Sequence, residues 1–335
     1  MVTALDCAIL SEDVYNRENN QLAASAGWLR VDAQNWGEGF AGGTYVKGNS
    51  VVVAFRGTET DDMQDIIADA HMVPSAPPDR ILQVIPSLLR EYDLSDSVEL
   101  QLGGILLGGI LVDWRSRALV GTYANQVPPE QTSLATTYVQ SRFPRPQYVT
   151  GHSLGGALAK AISLQMNIPG VAFNSPFMGD LRGIPPISSS ILKSINTRGD
   201  PLSLATEAAG NLSHGETILV DIPRFREPAP ARPQIESYRR PSVCPRASAG
   251  NDMVENLFIE YIAEPACESA LDMWEPVGRA ASAPRRAARF YFNTYPEYVG
   301  SLLGYLGRAA LYYHSMQNLR VKMQTLGQFR SPLSR

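Results

Sequence analysis

The chain has 335 residues, 44% of them hydrophobic and 19% charged, and a formal net charge of -4. That length and balance predict a globular protein with a substantial core, room for one large α/β domain or two smaller ones, and they exclude wholesale disorder. The mild negative charge excludes bulk attraction to nucleic acid. Cys7, Cys244 and Cys267 are too few and too widely spaced for a disulfide framework or a zinc site. No ligand cluster suggests a metal or organic cofactor, and none is expected.

The amino-terminal stretch "MVTALDCAILSEDVYNRENN" has no basic start and no long apolar core. It predicts no secretory signal, hence a cytoplasmic protein or one exported by a route without a cleavable leader. The β-branched run "VVVAF" (Val51 to Phe55) predicts a strand covered on both faces. An acidic run follows, with Glu59, Asp61, Asp62, Asp65 and Asp69. Residues 70–108 are mixed and contain "PSAPP", which predicts a lid or cap. The apolar "LQLGGILLGGILV" (Leu100 to Val112) falls short of the roughly 20 residues of a spanning helix, so a soluble chain without a transmembrane helix is expected.

Beyond that stretch the rhythm becomes regular. "QTSLATTYVQSRF" (Gln131 to Phe143) predicts a helix and "QYVT" (Gln147 to Thr150) a strand. "LGGALAKAISLQ" (Leu154 to Gln165) puts Leu154, Leu158 and Ile162 on one helical face. "VAFNSP" (Val171 to Pro176) and "ILKSINT" (Ile191 to Thr197) predict further strands. Alternating strands and helices predict one α/β domain over residues 1–335, a mostly parallel sheet flanked by helices. Residues 223–250, rich in arginine and proline, predict an exposed insertion. The part from 251 to 335 predicts helices, with Val299, Leu302, Leu303 and Leu306 at helical spacing.

Gly151-His152-Ser153-Leu154-Gly155 fits G-x-S-x-G, a sharp strand-to-helix turn that presents a serine in a strained backbone conformation. A strand before it and an amphipathic helix after it supply the required context. Ser153 is therefore the candidate nucleophile, placed at a helix amino terminus where developing negative charge is favoured. A serine needs a base, usually a histidine steered by a carboxylate. The chain holds His71, His152, His214 and His314. In the order Ser, acid, His, the base follows the serine, which disfavours His71; His152 lies inside the turn and is expected to point away. His214 and His314 remain.

Four segments occur in one order: "VVAFRGT" (Val52 to Thr58), "VTGHSLGGALA" (Val149 to Ala159), "FNSPFMGD" (Phe173 to Asp180) and "INTRGDPLS" (Ile195 to Ser203). Together they resemble the fungal-type triacylglycerol lipase family, the class 3 lipases of the α/β-hydrolase fold, over roughly residues 45 to 220. The resemblance implies Ser153 as nucleophile and Asp200 as acid, with Asp180 and Asp221 as weaker candidates. It implies Thr58 and the backbone N–H of Leu154 as oxyanion donors, and Asp69 as the carboxylate holding the Thr58 hydroxyl. It implies a late catalytic histidine, His314; "LSHGETILV" around His214 looks like a non-catalytic family segment, and His214 stays as the alternative base. The family's "HKGF" segment survives only as "GGILVDWRSRAL" from Gly108, a departure that touches the cap and acyl-binding region.

The resemblance implies hydrolysis of acyl esters of lipids, triacylglycerol or phospholipid, through an acyl-enzyme. Arginines between 224 and 246, with Arg279, Arg285, Arg286 and Arg289, suit peripheral contact with an anionic membrane surface. A catalytically silent binding protein of the same fold is the alternative from another class, and a thioesterase or acyltransferase uses the same triad.

Overall fold

The structure is a computed structural model that describes residues 1–16, 20–35, 40–57, 87–94, 129–176, 191–203, 215–231 and 296–333. The expected apolar segment at 100–112 lies outside them, as does most of the expected cap and insertion. The chain divides into two compact units. The first comprises residues 1–75, 123–222 and 313–335, and the second residues 76–122 and 223–312.

Among the described residues, the first unit holds a seven-stranded sheet whose spatial order follows the chain: β1 (Leu29–Asn35), β2 (Ala41–Lys47), β3 (Ser50–Phe55), β4 (Tyr148–His152), β5 (Gly170–Phe173), β6 (Leu192–Thr197) and β7 (Glu216–Val220). β1, β2 and β3 pair antiparallel, and β3 to β7 run parallel. The mostly parallel α/β architecture expected from sequence is therefore present.

Successive side chains of a strand point to opposite faces, and the two faces carry separate cores. Val52 and Ala54 of β3, with Tyr148, Val171, Phe173 and Ile195, share a core with helix α1 (Ala4–Asp13) and with the helix at Met316–Thr325. Val53 and Phe55, with Val149, meet α3 (Pro129–Gln140) and α4 (Leu154–Met166) on the other face. Helix α2 (Gln21–Ser25) is a short turn beside α1. Burying a side chain of this size contributes about 1.5–3 kcal/mol, so the continuous apolar run of β3 anchors both layers.

Helix α1 starts with a capping box, in which the Thr3 hydroxyl accepts from the Asp6 N–H while the Asp6 carboxylate accepts from the Thr3 N–H. Near its other end Glu12 accepts from the Arg320 guanidinium at 2.5 Å.

In the second unit, the described part is a short helix at residues 87–91, residues 223–231 without helix or strand, and α5 (Pro296–His314) as far as Tyr312. Tyr298, Val299, Leu302, Tyr305, Leu306 and Ala309 are buried at helical spacing on α5. The Tyr305 hydroxyl donates to the Tyr92 carbonyl at 2.5 Å, and Phe225 packs against Tyr305 and Tyr312. The last two residues of α5, Tyr313 and His314, belong to the first unit, and Ser315 alone separates them from α6 (Met316–Thr325).

Candidate catalytic site

Parallel strands end on the same side of a sheet, and their carboxyl ends gather the residues that follow them. The register sets Phe55 of β3 beside Gly151 of β4, and His152 beside Phe173 of β5. Gly57, Ser153, Asn174 and Asp200, which follow β3, β4, β5 and β6, thus lie along one edge.

Ser153 has φ 56° and ψ -129°, a conformation that costs a non-glycine residue on the order of 1–3 kcal/mol. Its N–H donates to the Phe173 carbonyl at 3.0 Å, and its own carbonyl accepts from Gly156 and Ala157 at 2.9 and 3.1 Å. Gly155 is forced by close approach, because a Cβ there would lie 2.2 Å from the Phe55 carbonyl oxygen. The strained turn is therefore pinned from β5, from β3 and from its own helix. Leu154 opens α4, so its N–H is among the first-turn donors that have no partner within the helix.

The Ser153 hydroxyl lies 2.9 Å from Nε2 of His314, and Nδ1 of His314 lies 2.7 Å from Oδ1 of Asp200. A carboxylate accepts only, so the proton of a neutral His314 sits on Nδ1 and Nε2 is left to accept from Ser153. Asp200 is fully buried, and its second oxygen accepts from the N–H and the hydroxyl of Ser203 at 2.9 and 2.5 Å. Both carboxylate oxygens are thereby committed, one to the imidazole and one to the chain turn at 201–203. Gly199, with φ 93°, lets the backbone lie flat on the ring of Tyr313, the neighbour of His314; a Cβ at residue 199 would meet that ring at 2.9 Å.

The structure brings together three of the residues expected from sequence, Ser153, Asp200 and His314, with Leu154 beside them. Thr58, Asp69, His214 and Asp180 lie outside the described residues. Asp221 pairs with Arg198 at 2.6 Å with its side chain 73% exposed.

One expectation is overturned. His152 does not point away from the chemistry: its ring centroid is 4.7 Å from that of His314, and its Nε2 lies 2.7 Å from the His314 carbonyl. A strand end at this edge is near the residues following neighbouring strands, and His152 turns into that gap. Asn174, with φ 40°, donates to the same carbonyl at 3.1 Å and to that of Tyr313 at 3.3 Å, while its own oxygen accepts from the Thr197 N–H at 2.7 Å.

Sequence reading also passed over Lys160. It is buried on α4 and donates to the carbonyls of Pro176 and Ser175 at 3.1 and 3.4 Å. Burial pushes its ammonium down to about 7, against the opposing pull of the Asp200 charge. The one signal was a lysine interrupting the small and apolar residues from Leu154 to Ile162.

Among the described residues, no three histidine, cysteine, aspartate or glutamate side chains are grouped to hold a metal ion, and no helix is long and apolar enough to cross a membrane. Compared with known proteins, the chain matches no family model and no curated relative.

Proposed function

We propose that this chain is a serine ester hydrolase of the α/β-hydrolase fold, acting on acyl esters of lipids as the class 3 lipases do. The observation that carries the reading is the unbroken line from Ser153 Oγ through His314 to Asp200, at 2.9 and 2.7 Å. A nucleophile, a base and an orienting carboxylate in that geometry meet the requirement for activating an alcohol. A structural turn serine has no need of a buried aspartate behind its histidine.

In this reading Ser153 Oγ attacks the ester carbonyl while Nε2 of His314 takes its proton. Asp200 keeps the proton of Nδ1 in place and offsets the charge of the imidazolium. The oxyanion that forms faces the amino terminus of α4, where the Leu154 N–H is one donor and Thr58 supplies the second. His314 then returns its proton to the leaving alcohol. Water, deprotonated by the same imidazole, releases the acid from Ser153.

The test is a panel of triacylglycerol, phospholipid, thioester and short-chain esters against wild type and Ser153→Ala. Hydrolysis of lipid acyl esters, lost by a factor of about 10⁴–10⁶ in Ser153→Ala with the fold intact, is expected. Equal residual rates in the two proteins would leave a binding protein. Preference for thioesters, or transfer of the acyl group to an acceptor alcohol over water, would reassign the substrate.

A further inference from the structure

We propose that Tyr15 and His152 are a positioning pair that clamps the main chain of the base and ties it to the end of β3; the inference rests on His314 being that base. Four contacts carry it. The Gly57 N–H donates to the Tyr15 hydroxyl at 3.1 Å. That hydroxyl lies 2.9 Å from Nδ1 of His152, whose Nε2 lies 2.7 Å from the His314 carbonyl oxygen. The Asn174 amide donates to this same oxygen at 3.1 Å.

The protons in this chain are ordered by chemistry. A carbonyl only accepts, so Nε2 of His152 must carry the hydrogen. Nδ1 of the neutral ring is then an acceptor, and the Tyr15 hydroxyl donates to it while accepting from Gly57. Burial, with the neighbouring His314, holds His152 well below the ordinary imidazole range and keeps this neutral form. Phenylalanine at residue 15 would leave Nδ1 buried without its donor, and the ring would be free to turn away from His314.

The packing shows that room for the pair is built in. A Cβ at residue 57 would meet the His152 carbonyl at 2.3 Å and the Tyr15 hydroxyl at 2.4 Å. The line thus runs from the residue before Thr58, the expected oxyanion donor, to the last residue of α5. One tyrosine holds the two ends of the catalytic edge in a fixed relation. A base displaced by about 1 Å loses on the order of 10²-fold in rate, which is the scale on which such a clamp acts.

The experiment compares Tyr15→Phe, His152→Leu and His152→Gln, whose amide N–H is at the reach of Nε2. Two readouts are taken on each folded protein: kcat and KM on the best ester, and the proton resonance of the His314 Nδ1–H bound to Asp200, assigned by its loss in Asp200→Asn. Tyr15→Phe and His152→Leu are expected to lower kcat by roughly 10- to 100-fold with KM within about twofold, and to shift or broaden that resonance. His152→Gln is expected to recover most of kcat and the resonance. Wild-type kcat and an unmoved resonance in Tyr15→Phe would overturn the proposal, as would a His152→Gln no better than His152→Leu. The resonance needs no substrate, so a chain inactive on every ester would refute the hydrolase reading while the clamp was still judged by the spectrum.

Discussion

Ser153 and His314 each stand at the end of a helix, and opposite means hold them there. Ser153 precedes the first turn of α4 and is fixed by backbone: a positive φ, hydrogen bonds to its own helix and to Phe173, and a glycine two residues on that lets β3 come within contact. His314 is the last residue of α5 and is fixed by side chains from three other segments: Asp200 holds its ring, and His152 and Asn174 hold its carbonyl. The nucleophile's strain is local to one turn, although the contacts that pin that turn come from β3 and β5 as well as from α4. The base is positioned by residues more than a hundred positions away. Local strain is thus paired with long-range hydrogen bonding, and each can be broken without the other.

The largest effect is expected at the local end. Gly155→Ala sets a methyl group against the Phe55 carbonyl, with the Arg56 and Phe55 carbonyl carbons each at 2.7 Å, all of them backbone that cannot give way cheaply. A loss of about 3 kcal/mol or more is expected in urea unfolding. A variant as stable as wild type would show that the turn is looser than described.

Next comes the long-range end. Asn174→Asp keeps the acceptor for the Thr197 N–H but faces carboxylate oxygen to the carbonyls of Tyr313 and His314. Ester turnover is expected to fall by about 10²-fold with KM little changed. Unchanged kcat would mean that the carbonyl does not locate the ring.

Lys160 sharpens the comparison through pH. Its ammonium titrates near 7 in the fold and near 10.5 in the unfolded chain. Between those values the unfolded chain binds more protons, so stability rises with pH across that window and the cost of burial is fully felt below it. Wild type should therefore gain stability relative to Lys160→Met between pH 7 and pH 10, read from paired urea melts. A flat or falling difference would contradict the burial of a charged ammonium beside the Ser175–Pro176 turn.

The smallest effect is the control for the glycine argument. Gly300 lies inside α5, and a Cβ there meets nothing within 4 Å. Gly300→Ala is expected to stabilise by about 0.5–1 kcal/mol, in contrast with Gly155→Ala. Destabilisation, measured in the same melts, would remove the distinction between a glycine needed for contact and one that is not.

How far the sequence was legible follows the same division. β3 and β5 are short apolar runs, β4 and β6 mix apolar and β-branched residues with polar ones between helical stretches, and α4 and the α5 seam show regular spacing, so each was readable to within a few residues. β1 and β2 were not, because "LRVDAQN" and "AGGTYVK" mix polar residues and glycines that gain their order from antiparallel pairing, β1 with β2 and β2 with β3. Helix α1 also escaped, since its buried face includes Asp6, Ser11 and Asp13, polar groups that rely on partners distant in sequence such as Trp28 for Asp6, Thr150 for Ser11 and Tyr45 for Asp13. Ser153 was legible because its glycines are adjacent to it. Asp200 and His314 came from the order of motifs, and His152 was misread because a neighbour in sequence was taken as facing away, whereas the strand edge turns it towards His314.

The measurement that bears most directly on the central claim is the rate at which a fluorophosphonate phosphonylates this protein, with loss of fluoride. A single label on Ser153 is expected, absent in Ser153→Ala, slowed by about 10³-fold or more in His314→Ala, and unchanged in His214→Ala. Labelling of Ser153 at the wild-type rate in His314→Ala, or loss of labelling in His214→Ala, would contradict the account.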